Sequence, residues 1–455
     1  MLRMNESPVF QDSPGFRSPS AGTLLVSRQR LVPRMLGPAP VARPTRLRPM
    51  PAPDSPSPLQ RPAFLHYLFA RIGASLAFQI VSVAVGWQIY ALSGSALDLG
   101  LIGLAQFLPM AALTLVVGHV ADRYDRRKIV AVCMALEALA TLVLAIAALH
   151  GVGGKTLIYA TIIIMSSARA FEAPTLATLI PAVVPREWLP RATALASSGG
   201  QIAQIAGPAL GGVGYGLGAG WIYCVAAALY LSAFASIATL VIERAPPRKE
   251  PTTWRTLFAG ITFIFQRRLL LGTLSLDLFA VLLGGATALL PIFAKDILNA
   301  GPWALGALRA APACGAALMS LTLARLSLGE HVGRLLFGAL IVFGLATTVF
   351  GLSTSIPLSI GALVVLGAAD AVSVVVRSSL VQLNTPDHML GRVSAVNTLF
   401  IGASNQLGEF ESGVMAAAFG AVPAVVIGGV GTIAVAGLWM RWFPELRKLK
   451  TIHAS

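Results

Sequence analysis

The chain has 455 residues, 56% of them hydrophobic and only 12% charged, with a formal net charge of +15 and a mean hydropathy of +0.75. A soluble globular domain carries about 25% charged residues, so a wholly soluble fold is excluded and most of the chain must live in lipid. The positive charge sits in loops between apolar stretches and in one polar tail; this reflects membrane topology and anionic headgroups, and no nucleic-acid partner is expected.

Residues 1–60 are rich in Pro, Ser and Arg, lack Lys and sustain no hydrophobic period. Such a stretch cannot bury enough apolar surface to offset chain entropy, so it is expected to be a disordered cytoplasmic tail. No apolar core precedes a small-residue cleavage site, which argues against a signal peptide. An Arg-rich tail touching anionic lipid and an inert extension, with initiation near Met35 or Met50, both fit.

From Phe64 the apolar segments run at 64–91, 98–118, 128–149, 156–181, 192–217, 221–242, 269–294, 303–326, 334–352, 357–381, 393–418 and 421–443. Each is near the roughly 20 residues a helix needs to cross hydrocarbon. The expectation is an all-α membrane protein of twelve transmembrane helices. The basic loops fall on alternate sides: Arg123/Arg126/Arg127/Lys128, Arg186/Arg191, Arg248/Lys249/Arg255/Arg267/Arg268, Arg325/Arg334, Arg392 and Arg447/Lys448/Lys450 share one face. That face is the cytoplasm, which holds both termini.

The tightest of these loops is Gly118–Lys128, with seven ionisable side chains, His119 included, in eleven residues. They cannot lie in hydrocarbon, so a hairpin at a membrane face is expected. Between Glu243 and Arg268, Pro246-Pro247 breaks the chain, and Trp254, Leu257, Phe258, Ile261 and Phe265 then recur at helical spacing. This predicts an amphipathic helix at the cytoplasmic interface. The domains expected are a six-helix bundle over 61–242, a linker over 243–268, a second bundle over 269–443 and a cytoplasmic tail over 444–455.

The two bundles repeat each other in sequence. Pro185, Leu189, Arg191 and Ala192-x-Ala194 recur as Pro386, Leu390, Arg392 and Val393-x-Ala395, 201 residues on, and the register continues through Gly207/Gly408 and Gly212/Gly413. Parallel repeats about an axis along the membrane normal build one class of secondary transporter.

Gly118-x-x-x-Asp122-Arg123-x-x-Arg126-Arg127 resembles the loop signature between helices 2 and 3 of the major facilitator superfamily, with Asp125 where Gly is usual. The resemblance covers about 62–445 and implies two pseudo-symmetric six-helix bundles, the major facilitator fold. It also implies a cytoplasmic gate of Gly118, Asp122, Arg123, Arg127 and Arg392; a plain positive-inside hairpin is the alternative. Physically, a carboxylate at such a helix end can accept from Arg and from a helix N-terminus.

Arg169-Ala170-Phe171-Glu172-Ala173-Pro174 resembles the superfamily's helix 4 arginine motif, linked to proton coupling, with Glu172 and Ala173 for Gln and Gly. A charge at that depth is expensive and faces a cavity or a partner. The 201-residue register sets Arg169 opposite Asp370 in the tenth segment, which suggests an ion pair that makes and breaks as the halves rock; a static salt bridge is the alternative. Ala203-x-x-x-Gly207-Pro208-x-x-Gly211-Gly212 resembles the helix 5 signature of the exporter branch, although small residues and a Pro bend also serve plain packing.

Asp277, Arg377, Glu409 and Glu411 complete the candidate proton-coupling and cavity residues, because desolvation shifts the proton affinity of buried carboxyls. Gln106, Glu137 and Arg309 are further charged or polar residues within spans. Cys133, Cys224 and Cys314 show no ligand spacing, so no metal site is expected. Without a Gly-x-x-x-x-Gly-Lys-Ser/Thr loop, ATP does not drive the protein directly, no cofactor is expected, and no catalytic constellation suggests an enzyme.

Leu283-Gly284-Gly285-Ala286, Leu290-Pro291-Ile292-Phe293-Ala294 and Gly391-Arg392-Val393-Ser394-Ala395-Val396-Asn397 look like the enterobactin exporter-like branch. That likeness implies proton-coupled export of a small amphipathic molecule, siderophore or drug-like, from a bacterial cytoplasm across the inner membrane. The partners implied are a small-molecule substrate, protons and membrane lipids, with a monomer sufficient for alternating access. A lysophospholipid flippase of the same superfamily and a transport-inactive membrane sensor are the rivals.

Overall fold

Backbone amides in hydrocarbon must find partners within their own segment, so helix is the structure open to most of this chain. The computed structural model describes residues 57–240, 254–325 and 331–450, and among them it contains helices and no strand. Twelve long helices follow in order: α1 (Pro62–Ser93), α2 (Ala96–Arg123), α3 (Arg126–Leu149), α4 (Lys155–Ala177), α5 (Leu189–Gly216), α6 (Ala219–Ala238), α7 (Arg268–Leu283), α8 (Pro302–Arg325), α9 (Val332–Leu352), α10 (Ile356–Leu383), α11 (Asp387–Phe419) and α12 (Ala421–Trp442). Nine segments among the described residues are long and apolar enough to cross a membrane. The three that fall short, α4, α5 and α11, are diluted by residues such as Arg169, Glu172, Gln201, Gln204, Glu409 and Glu411. Of these, Glu172 is buried and Arg169, Glu409 and Glu411 are half-buried, whereas Gln201 and Gln204 are exposed.

The packing order is the same in both halves. In the first, α1 lies against α5 and α6, α3 against α4 and α6, and α2 against α4; in the second, α7 lies against α11 and α12, α9 against α10 and α12, and α8 against α10. The halves join through α2 with α11 and α5 with α8, two seams related by the same pseudo-twofold. The chain therefore forms two pseudo-symmetric six-helix bundles.

Three local features depart from the expected segments. The basic hairpin is shorter than its charge suggests: α2 runs to Arg123 and α3 starts at Arg126, leaving only Tyr124 and Asp125 between them, with the Asp125 carboxylate accepting from Arg127 N at 2.9 Å. The seventh segment is not one helix. It breaks after Leu283 at Gly284-Gly285, continues as short turns through Ala286–Leu289 and Leu290–Ile292, and ends in a π turn at Phe293–Ile297; two glycines and then Pro291 explain the break. The Asp387–Arg392 stretch, expected in a loop, forms the first turns of α11.

A linker helix spans Trp254–Gln266. Its Ile264 is buried, and a Cβ on Gly260 would lie 2.9 Å from the Arg392 carbonyl, so this face packs on α11, while Phe258 and Phe265 stay exposed. Of the tail expected to lack structure, residues 1–56 lie outside the described residues, and Pro58–Gln60 makes a 3-10 turn capped by Ser57. Residues 241–253, 326–330 and 451–455 also lie outside them. The second tail is docked: Leu446 is fully buried, and His331 N and Gly333 N donate to the Lys450 and Leu449 carbonyls.

Candidate functional site

The seams are tightest at the helix ends joined by the uncharged loops. On α5 and α8, a Cβ at Gly212 would lie 2.6 Å from the Pro302 carbonyl oxygen and 2.7 Å from the Gly306 Cα; on α2 and α11, a Cβ at Gly100 would lie 2.9 Å from the Gly413 Cα. Only glycine permits backbones this close. Gly207 and Gly211 turn instead to α1, meeting Gln79 and Ile80, and Pro208 is buried. The helix 5 motif therefore serves two interfaces, one within its half and one between halves.

At the same end, the Tyr90 hydroxyl of α1 donates to Asp296 beyond α7, with Lys295 Nζ 5.4 Å from the centre of the Tyr90 ring. This is a polar latch between halves. Lys155 Nζ and the Tyr159 hydroxyl both donate to the Asp98 carboxylate, at 2.8 Å and 3.0 Å, tying α4 to α2 within the first half. Tyr90→Phe removes the latch donor and is expected to weaken closure at this end by about 1 kcal/mol. That should raise labelling of a Ser82→Cys reporter by impermeant thiol reagents about fivefold.

Beneath the closed end lies a cavity of about 50 Å³, lined by α1 (Phe78, Val81, Ser82, Val85, Gly86), α2 (Leu99, Ile102, Gln106), α4 (Ile162, Met165, Ser166), Ala288 and Pro291, with Arg309 of α8 and Glu409 of α11. Sites for drug-sized molecules measure roughly 300–1,000 Å³, so in this state the cavity is too small to hold one. Arg309 and Glu409 interact electrostatically there. The Arg309 guanidinium stands against Gly86 on the opposite half.

Each half holds a further charged cluster. In the first half, Arg169 Nη1 is 3.6 Å from the Glu172 carboxylate, and its guanidinium lies 3.9 Å over the ring of the cavity-lining Phe78. In the second half, Arg377 forms a salt bridge with Asp277 of α7 and lies 4.0 Å from Asp370, while its Nε donates to the Ser373 hydroxyl at 3.1 Å. The expected Arg169–Asp370 pair is thus replaced by partners inside each half. Glu172 is three residues from Arg169 and Asp370 seven from Arg377, so each acid meets the nearer base on its own helix.

Glu411 lies two residues from Glu409, on another face of α11, beside the Ser412 hydroxyl at 3.5 Å. At the basic ends, Arg127 Nη1 donates to the Leu240 carbonyl at 2.8 Å, bridging α3 to the end of α6 within one half. Arg123 is exposed, and Arg392 Nη1 lies 3.7 Å from Met389 Sδ. The side chains of Gly118 and Asp122 lie outside the described residues. Arg309 and the Tyr90–Asp296 latch were not among the site residues expected from sequence; the charge of Arg309 within a span was the available signal, whereas nothing local marks Tyr90.

A family model described as transmembrane secretion effector, within the major facilitator superfamily, matches residues 54–454. The chain belongs to this family. Enterobactin exporter EntS of Citrobacter koseri is 27% identical over 394 residues, covering 86% of this transporter and 94% of that protein. The EntS of Escherichia coli O1:K1 is 26% identical over the same shares. Among solved structures, a variant of the nucleoside transporter NupG superposes with a TM-score of 0.68 at 13% identity, covering 84% of this transporter and all of that chain. A bacterial homologue of the lysosomal transporter Spinster, in an inward-facing, unoccupied conformation, superposes with a TM-score of 0.68 at 15% identity, covering 85% of this transporter and 98% of that chain. The protein is thus a multi-pass inner-membrane transporter with the major facilitator fold, and its relatives are transporters and not enzymes.

Proposed function

We propose that this transporter exports a small amphipathic molecule, siderophore or drug-like, from the bacterial cytoplasm in exchange for protons, by alternating access as a monomer. Both termini and the basic loops face the cytoplasm, as the positive-inside distribution requires. The observation that carries the reading is the Arg309–Glu409 pair, which lines a cavity formed by helices of both halves. A carboxylate in that setting can hold either a proton or its arginine, and rocking of the halves changes its access to water. Arg169 over Phe78 and the Asp277–Arg377–Asp370 cluster supply the remaining charges that respond to the same motion. The enterobactin exporters among its relatives point to an amphipathic iron chelator as the first substrate to try.

The test is proton movement in liposomes under an imposed pH gradient, with siderophores, cationic drugs and lysophospholipids offered in turn. Substrate-dependent proton flux is expected, falling about 5–150-fold in Glu409→Gln and Arg169→Ala. Lysophospholipid movement without proton flux would replace this reading by a flippase. Binding of a small molecule with no net transport would replace it by a sensor.

A further inference from the structure

Behind Arg169, away from the cavity, two glutamates are buried together. Glu137 of α3 has no exposed surface and Glu172 of α4 is 3% exposed, and their carboxyl groups face each other within hydrogen-bond reach. Both Glu137 oxygens and Glu172 Oε2 have no hydrogen-bond partner among the described residues, and neither has the Tyr230 hydroxyl, which interacts with both acids. The charged and titratable groups turned toward the pair are Arg169 of α4, Tyr67 and Arg71 of α1, Cys133 of α3 and Tyr230 of α6. Arg169 makes its ion pair with Glu172, Arg71 donates to the Tyr67 hydroxyl at 3.3 Å, and among the described residues no base stands within ion-pair distance of Glu137, which feels Arg169 only at longer range.

Two carboxylates in contact repel, and neither can donate to the other. A single proton resolves both problems: an O–H on Glu137 donates to Glu172, which stays ionised against Arg169. We infer that Glu137 and Glu172 form a proton-binding pair that holds one shared proton, with Arg169 standing between it and the cavity. The proton arrives from cavity water, forms one O–H bond on the pair, and leaves by the same route when Arg169 shifts. Arg169 is 33% exposed and stacked on a cavity-lining ring, so a bound substrate that displaces Phe78 also disturbs the arginine that neutralises Glu172. As a coupling site, the pair rests on the proton-exchange reading above; as a proton-sharing pair, it stands on the burial and contact of the two acids.

Infrared difference spectroscopy of the purified full-length protein on a pH titration decides it, through the carbonyl stretch of protonated carboxyl groups. The wild type is expected to show this band, and Glu137→Gln, whose amide still donates to Glu172, is expected to lose one carboxyl's share of it. An unchanged band in Glu137→Gln, or no band in the wild type, would overturn the inference. Should Glu137→Gln fail to fold, the protein with heavy-carbon-labelled glutamate, in a Glu409→Gln/Glu411→Gln background that keeps both Glu137 and Glu172, decides instead; absence of a labelled protonated band overturns it. Transport is read separately. Loss of the band in Glu137→Gln alongside a wild type that moves no protons would leave the pair standing and sink proton exchange; coupled transport with an unaltered band would do the reverse.

Discussion

Arg377→Leu is expected to cost about 3–5 kcal/mol of stability, a large share of the margin of a protein stable by about 5–15 kcal/mol. Arg377 and Asp277 are 8% and 7% exposed and bridge α10 to α7. Their neighbours Leu276, Ala280, Val376 and Leu380 belong to a buried apolar cluster that also contains Leu336 and Trp439. Removing the guanidinium leaves a carboxylate there with no counter-charge, and the Ser373 hydroxyl cannot replace it as a donor of charge-assisted strength. Asp277→Leu combined with Arg377→Leu removes both charges, and about 3 kcal/mol or more of the loss should return. Thermal unfolding of the detergent-solubilised protein checks both. A single variant within about 1 kcal/mol of wild type, or a double variant no better than the single, would show that the pair does not hold these helices together.

Gly212→Val is expected to leave each bundle folded and to stop the helix ends opposite the basic loops from closing. The added side chain would start 2.6 Å from the Pro302 carbonyl and 2.7 Å from the Gly306 Cα, both backbone atoms of the other half that no rotamer change can clear. The cheapest relief is separation of α5 from α8, which shifts the protein toward the state open at that face. A shift of about 1.4 kcal/mol or more changes the ratio of states at least tenfold. Labelling of Ser82→Cys, in a background where Cys133, Cys224 and Cys314 are alanine, should therefore speed up about tenfold or more from the face opposite the basic loops, while substrate turnover falls. Gly306→Val should behave alike, since it meets the same contact from α8. Unchanged labelling would mean that the seam tolerates a side chain and that its glycines are not what sets the closed state.

The linker helix illustrates how far composition carries. Its apolar residues recurring at helical spacing marked an amphipathic helix, and the chain forms a helix at Trp254–Gln266. That Gly260 would let it settle on α11 was not legible, because a glycine in a short helix looks the same whether it faces lipid or a backbone. The same holds for charge. Arg169, Asp277, Asp370, Arg377 and Glu409 stood out as ionisable residues in hydrocarbon, a signal that needs no partner to be read.

Sequence alone determined the class of molecule, the order of its apolar segments, the repeat of the two halves and the positions of the basic loops. These follow from local hydropathy and charge, properties that each residue carries whatever it touches. Tertiary structure alone decided that Arg169 meets Glu172 and not Asp370, that Glu137 lies against Glu172, that Gly212 faces Gly306, and that Tyr90 reaches Asp296 across the halves. Helices apolar on every side give no periodic signal for rotation, and a turn of about 100° per residue separates a cavity-facing charge from one buried behind it. Those contacts were therefore fixed by how the helices pack and at what depth, which no single segment of this chain records.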